Sequence, residues 1–252
     1  MENNKVKILN LIIPLLSIGV ILAFWSIASA VVDSSFILPT ISQTVESLFA
    51  LFLSGDFYLA LWLTFLRSLI AFLVSFAVAF CLAFFSAKHQ LVKRAIEPII
   101  GVLRALPTIA IVLILLLWTS SQIAPMIVTM LVVLPTCYTN MYSAFSSIDK
   151  TVSEAGMVDG ADKKRLLLLV EFPQVAPAFY SAIGSGLSLN FKLMVAAEVI
   201  AQTADSIGLL LNTSKAYFET PTMMALVLVS VLVGLVIESI FNAISKRAGD
   251  WR

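Results

Sequence analysis

The chain has 252 residues, of which 60% are hydrophobic and 12% charged. A soluble domain is about 45–50% apolar and about 25% charged; with a mean hydropathy of +1.01, this composition excludes a water-soluble globule, a disordered segment and a coiled coil, and marks an integral membrane protein. Sixteen Lys and Arg against fifteen Asp and Glu leave a net charge of +1, without the basic surplus that draws nucleic acid.

A helix needs about 20 apolar residues to cross a bilayer core of about 30 Å, and the runs here lack the alternation of a membrane β-barrel, so helices are the expected spanning element. The first run, Ile8–Val32, follows Lys5 and Lys7 and ends near Ala28-Ser29-Ala30, the outline of a cleavable signal peptide. It is longer than the usual apolar region of about 7–15 residues and is read as a retained span. In the segment Asp33–Tyr58, Pro39-Thr40 precedes Ile41, Val45, Leu48, Phe49 and Phe52 at helical spacing, which predicts a short amphipathic helix on the outer surface. Further spans are expected at Leu59–Ala87, Pro98–Trp118, Ile123–Phe145, Val175–Ala201 and Met223–Ile244. No Gly-, Ser- or charge-rich linker interrupts the chain, so residues 1–252 read as one all-α transmembrane domain. Cys81 and Cys137 both sit in apolar runs and read as small packing residues rather than a disulfide or a zinc site.

Orientation follows from the basic residues. With a cytoplasmic N-terminus, twelve of the sixteen Lys and Arg fall in inside segments, Lys215 alone falls outside, and Arg67, Arg104 and Lys192 are intramembrane. Both termini are therefore expected in the cytoplasm.

Enzyme chemistry finds no purchase. No Gly is followed by Lys, so there is no Walker A phosphate loop. Gly184-Ser185-Gly186 lies inside the fifth span, and the single His, His89, is in a short basic cytoplasmic loop, so Ser185 has no base. Ser181, Gly184, Ser185 and Ser188 read instead as small residues at helix-packing spacing. No catalytic residue, metal or cofactor is expected.

The long inside loop 146–174 is the most informative stretch. Thr151-Val152-Ser153-Glu154 has capping-box form, Gly160 suits a helix C-cap, and Asp162 can cap a second short helix, Lys163–Glu171, that Pro173 ends. Here Glu154-Ala155-Gly156-x3-Gly160-x9-Val170-x-Phe172-Pro173 resembles the EAA loop of ABC-importer permeases, with Gly156, Val170 and Phe172 as departures from Ala, Ile and Leu. Leu38-Pro39-Thr40, Leu103-Arg104-Ala105-Leu106-Pro107, Ala196-Ala197-Glu198-Val199-Ile200 and Ser206-Ile207-Gly208 extend the likeness, toward the branch of nitrate, taurine, aliphatic-sulfonate and thiamine-precursor permeases. The resemblance implies a type I permease fold in a bacterial plasma membrane and half of a pore completed by a second copy or paralogue. It also implies two separate ATPase subunits per complex and an extracytoplasmic solute-binding protein. By the same resemblance Glu154, Ala155, Gly156, Asp159, Gly160 and Asp162 would dock the ATPase.

Charges at membrane depth are costly and hence candidates for function. At about 1.5 Å per residue, Arg67, Lys192 and Glu198 form an outer set, Arg104 and Glu238 an inner one. They read as buried ion pairs or as the lining of a gate suited to an anion; Lys192 and Glu198, about 120° apart round their helix, cannot simply pair with each other. A self-sufficient secondary transporter or channel is the competing function, distinguished by having no need of an ATPase dock.

Overall fold

The computed structural model describes residues 2–149, 151, 158 and 162–249, and every regular element among them is helical. The chain divides into two compact units, Met1–Tyr58 with Leu210–Leu228, and Leu59–Leu209 with Val229–Arg252.

In the first unit, α1 (Glu2–Val32) leads into α2 (Ile41–Phe52). The Trp25 indole donates to the Pro39 carbonyl at 2.9 Å and Ser29 Oγ to Leu38 O at 3.3 Å, which fastens the connection back onto α1. Thr40 and Gln43 close a reciprocal capping box, Gln43 N donating to Thr40 Oγ1 and Thr40 N to Gln43 Oε1. The short helix expected from the Pro39-Thr40 pattern is thus present, and Thr220 Oγ1 donates to Phe36 O at 2.7 Å just ahead of it. From Ile12 onward most large apolar side chains of α1 are exposed, Phe24 at 74%, as suits a helix whose solvent is hydrocarbon.

Further helices follow in order: α3 (Gly55–Lys88), α4 (Gln90–Ala105), α5 (Thr108–Trp118), α6 (Ala124–Ser146), α7 (Phe172–Ala201), α8 (Ile207–Ala216) and α9 (Thr220–Gly249). In the second unit α6 packs most extensively on α7. Val112 of α5, Val128 of α6 and Ala197 and Ala201 of α7 form a buried cluster, with Ile111, Leu115 and Val132 against it. Small residues set the helix spacing: a Cβ at Gly184 would stand 2.5 Å from Phe241 Cβ, and one at Gly186 would stand 2.8 Å from the Phe72 ring. Cys137 is buried beside Gly186 as a packing residue, whereas Cys81 is exposed on α3.

Among the described residues, five helices are long and apolar enough to cross a membrane, and the pair α4 and α5 makes a sixth if taken as one span. That pair corrects the expected third span, since Pro98–Trp118 is not a continuous helix but bends by 92° between Ala105 and Thr108. Pro107 has no N–H to give and forces the residue before it out of the helical region, so Leu106 is extended at φ −67°, ψ 125°. A second correction concerns Pro173, which does not end a helix. After one turn at Lys163–Arg165, the π-helical segment Leu166–Glu171 runs straight into α7, with Phe172 N bonded to Leu167 O. The wider turn gives room for a proline ring that would clash with the carbonyl one turn back.

Candidate functional site

Glu198 sits in the last turn of α7, where the partial negative charge of the helix end makes a carboxylate unwelcome, and it is fully buried. Two residues one turn apart on α3 resolve this. Arg67 Nη1 lies 3.1 Å from Glu198 Oε1, and Thr64 Oγ1 donates to Glu198 Oε2 at 2.8 Å. Both carboxylate oxygens are therefore satisfied. Arg67 also donates to the carbonyls of Ala204 at 3.1 Å and Asp205 at 3.3 Å, and Thr64 Oγ1 accepts from Ile207 N at 3.1 Å. Arg67 and Thr64 together thereby tie α3 to the end of α7, the following loop and the start of α8.

That loop reverses the chain through two left-handed residues, Gln202 at φ 49° and Asp205 at φ 48°. Thr203 Oγ1 donates to Ser121 O at 2.7 Å, and Ser206 Oγ caps α8 by accepting from Leu209 N at 2.9 Å. Gly208 permits the tight return, because a Cβ there would stand 2.4 Å from Glu198 Cβ and 2.5 Å from Val199 N.

Lys192 does not join this cluster. It is exposed on α7, and no ion pair reaches it among the described residues. Its stem crosses the bare backbone of α9, where a Cβ at Gly234 would stand 2.7 Å from Lys192 Cε and 3.1 Å from Ser188 Oγ. Toward the Phe172 end, a cavity of about 460 Å³ opens between α6 and α7, lined by Asn140, Ser143, Ala144, Ser147, Ala178, Ser181, Ala182 and Ser185. Arg104 and Glu238 are not brought together either. Arg104 Nη2 donates to Thr139 Oγ1 of α6, and Glu238 is half-buried on α9 with its backbone carbonyl beside Gly184.

Of the expected docking residues, Glu154, Ala155, Gly156, Asp159 and Gly160 lie outside the described residues. Asp162 caps the turn that follows it, its Oδ1 accepting from Arg165 N at 2.8 Å. The stems of the loop are joined: Asp149 N donates to Gln174 Oε1 at 2.9 Å, and Asp149 Oδ1 accepts from Thr151 N at 2.8 Å. Gln174 in turn donates to Val170 O at 3.2 Å. Among the described residues no group of three His, Cys, Asp or Glu side chains is placed to hold a metal ion.

Sequence reasoning missed Thr64 and the buried pair of Asn190 and Ser68. Asn190 Nδ2 donates to Ser68 O at 2.7 Å and lies 2.9 Å from Ser68 Oγ. An amide inside the fifth apolar run was visible as a polar exception; Thr64 was not, because hydroxyls are common in membrane helices.

Residues 79–250 match the family model described as binding-protein-dependent transport system inner membrane component. Among curated relatives, the riboflavin transport system permease protein RibX of Chloroflexus aurantiacus is 24% identical over 64% of this chain and 60% of its own length, less than two thirds of that protein. The taurine transport system permease protein TauC of Escherichia coli strain K12 is 20% identical over 94% of this chain and 89% of its own length. Among solved structures, a chain of the MetNI methionine ABC transporter in inward facing conformations matches with a TM-score of 0.64. The match has 16% identity and covers 76% of this chain and 96% of that one, a likeness of fold.

Proposed function

The chain belongs to the binding-protein-dependent transport system inner membrane component family and is the permease component of an ABC importer, and from that membership we propose that it acts as a single permease domain forming half of a translocation pore. The second half is another copy or a paralogue. Two ATPase subunits drive the cycle from the cytoplasm, where both termini lie, and a solute-binding protein delivers cargo at the outer face. The observation that carries the coupling role is the Glu154-Ala155-Gly156-x3-Gly160 spacing in a loop whose stems are joined through Asp149 and Gln174. A loop pinned at both ends moves with the helices that bear it, so force at its tip reaches α6 and α7. Glu154, Ala155, Gly156 and Gly160 are the docking motif, with Asp159 and Asp162 at its rim.

The solute is small and is of the sulfonate, nitrate or thiamine-precursor type, in keeping with the taurine relative. Arg67 and Glu198 hold the outer end of the pathway wall closed around the loop after α7; Arg104 and Glu238 stand nearer the cytoplasm. The test is purification of the chain with the ATPase encoded beside it, followed by reconstitution with the neighbouring binding protein. Solute-stimulated ATP hydrolysis and ATP-dependent uptake are expected. Uptake by the chain alone, driven by an ion gradient, would overturn the reading in favour of a secondary transporter.

A further inference from the structure

α7 carries one polar face through an apolar span. Ser181, Ser185, Ser188 and Lys192 follow at steps of four, three and four residues, which places them within about 60° of one another round the helix. Lys192 lies about 14 Å along the axis from the Ala201 end of α7. Helical side chains lean toward the N-terminus, so its ammonium is carried farther from that end. An exposed ammonium at such depth cannot be left to hydrocarbon, and water or a polar partner must cover this face.

Three further features share it. Gly234 leaves the space that the Lys192 stem fills. Ser188 Oγ is buried and has no hydrogen-bond partner among the described residues. The α6–α7 cavity of about 460 Å³ continues the face with the amide of Asn140 and the hydroxyls of Ser143, Ser181 and Ser185. Glu238 lies one turn from Gly234 on α9 but forms no ion pair with Lys192. The other deep carboxylate, Glu198, is already paired with Arg67.

We propose that this face is a water-lined track for a small anionic solute, of sulfonate or carboxylate size, with Lys192 as its cation and the α6–α7 hydroxyls and amide as its hydrogen-bonding wall. Gly234 is the positioning residue that fixes where the ammonium stands. The inference rests on the permease reading above and adds to it the charge class of the cargo and the helix face it follows.

The test is the charge selectivity of thiol labelling at Ser185→Cys in the full chain in native membrane vesicles, carrying Cys81→Ser and blanked against the same chain with Ser185 retained. The probes are anionic sulfonatoethyl and cationic trimethylammonioethyl methanethiosulfonate, each rate normalised to that reagent's rate with a small free thiol. Ser185 lies about 10 Å along the axis from Lys192; at that distance and at low salt, even the dielectric constant of water favours the anionic probe about fourfold. That preference is expected, and it should fall to about one with Lys192→Met or Lys192→Gln and decrease with Gly234→Ala. Equal rates while Lys192 is present, or no labelling by either probe, would overturn the track. Solute-stimulated ATPase activity in the same preparation would then leave the permease reading standing.

Discussion

Replacing Arg67 with Met tests the pair that closes the cluster at the end of α7. The substitution keeps most of the apolar stem and removes three donated hydrogen bonds, to Glu198 Oε1 and to the carbonyls of Ala204 and Asp205. The loop carbonyls recover water, because Ala204 and Asp205 are exposed. Glu198 cannot, with its side chain at 0% exposure against 12% for Arg67. Its carboxylate keeps the Thr64 hydroxyl and the Gly208 N–H but loses its only opposite charge, so the cost approaches the range of about 3–5 kcal/mol for breaking a buried pair. At the lower figure the folded-to-unfolded ratio falls by about two orders of magnitude. Glu198→Gln should cost less, since the amide still accepts from Thr64 and the partly exposed guanidinium keeps its loop carbonyls. The double variant should then lose less than the two single losses added, by at least about 1 kcal/mol. Denaturant-induced unfolding of the purified protein in mild detergent, followed by the reactivity of buried Cys137, reads all four corners of the cycle. Strict additivity would show that the 3.1 Å pair is not coupled and that this cluster is held by Thr64, Ser206 and packing alone.

Gly208→Ala places a methyl group 2.4 Å from Glu198 Cβ and 2.5 Å from a backbone nitrogen; neither is a flexible tip, so α8 must move, and we expect a loss of about 1–3 kcal/mol as a lowered thermal midpoint. A midpoint equal to the parent would mean that α8 has slack at this contact. Gly160→Pro should abolish solute-stimulated uptake while the membrane helices keep their far-ultraviolet signature and ATP hydrolysis continues unstimulated; fully coupled uptake would remove the loop from the mechanism. Pro107→Ala restores an N–H and frees Leu106 to enter the helical region, so a distance between spin labels on α4 and α5 should broaden or lengthen. An unchanged distance would show that tertiary packing, not the proline, sets the 92° bend.

The division between what the sequence disclosed and what it hid follows from the range of each interaction. The Thr40–Gln43 capping box spans three residues, and the helix it opens was legible as soon as Pro39-Thr40 preceded a periodic apolar run. Arg67 and Glu198 were conspicuous because charges stand out against hydrocarbon-matched neighbours, but their partnership crosses 131 positions and no local pattern encodes it. The third span failed for a different reason. Hydropathy adds composition across a window and is blind to direction, so two helices at 92° sum to one apolar run, although Leu106-Pro107 already carried the local instruction to break. At Pro173 the local rule was applied and the structure overrode it. A proline stops an α-helix only if the preceding turn stays α-helical, and the apolar run Leu166–Val170 has no polar period by which a π-helical turn could be recognised.

These elements converge on one helix. α7 runs for 30 residues, about 45 Å, and its first turn holds Gln174, which ties the stems of the loop that carries the proposed docking motif. Its middle presents Lys192 and the serine face; its last turn holds Glu198, fixed to α3 and to the loop ahead of α8. Pro177 lies near its start, and Ser245 Oγ of α9 donates to the Pro177 carbonyl at 2.7 Å, satisfying an acceptor there. Beyond that point the helix is continuous to Ala201 and packs on α6, and a packed helix is displaced as a body more cheaply than it is bent. The irregular element between loop and helix is the π-helical segment Leu166–Glu171, where the α-helical hydrogen-bond register is already broken. A push on the loop would be absorbed there or delivered to α7 whole. In the second case the Lys192 face and the Arg67–Glu198 clasp must move in the same stroke, because no break in α7 lies between them.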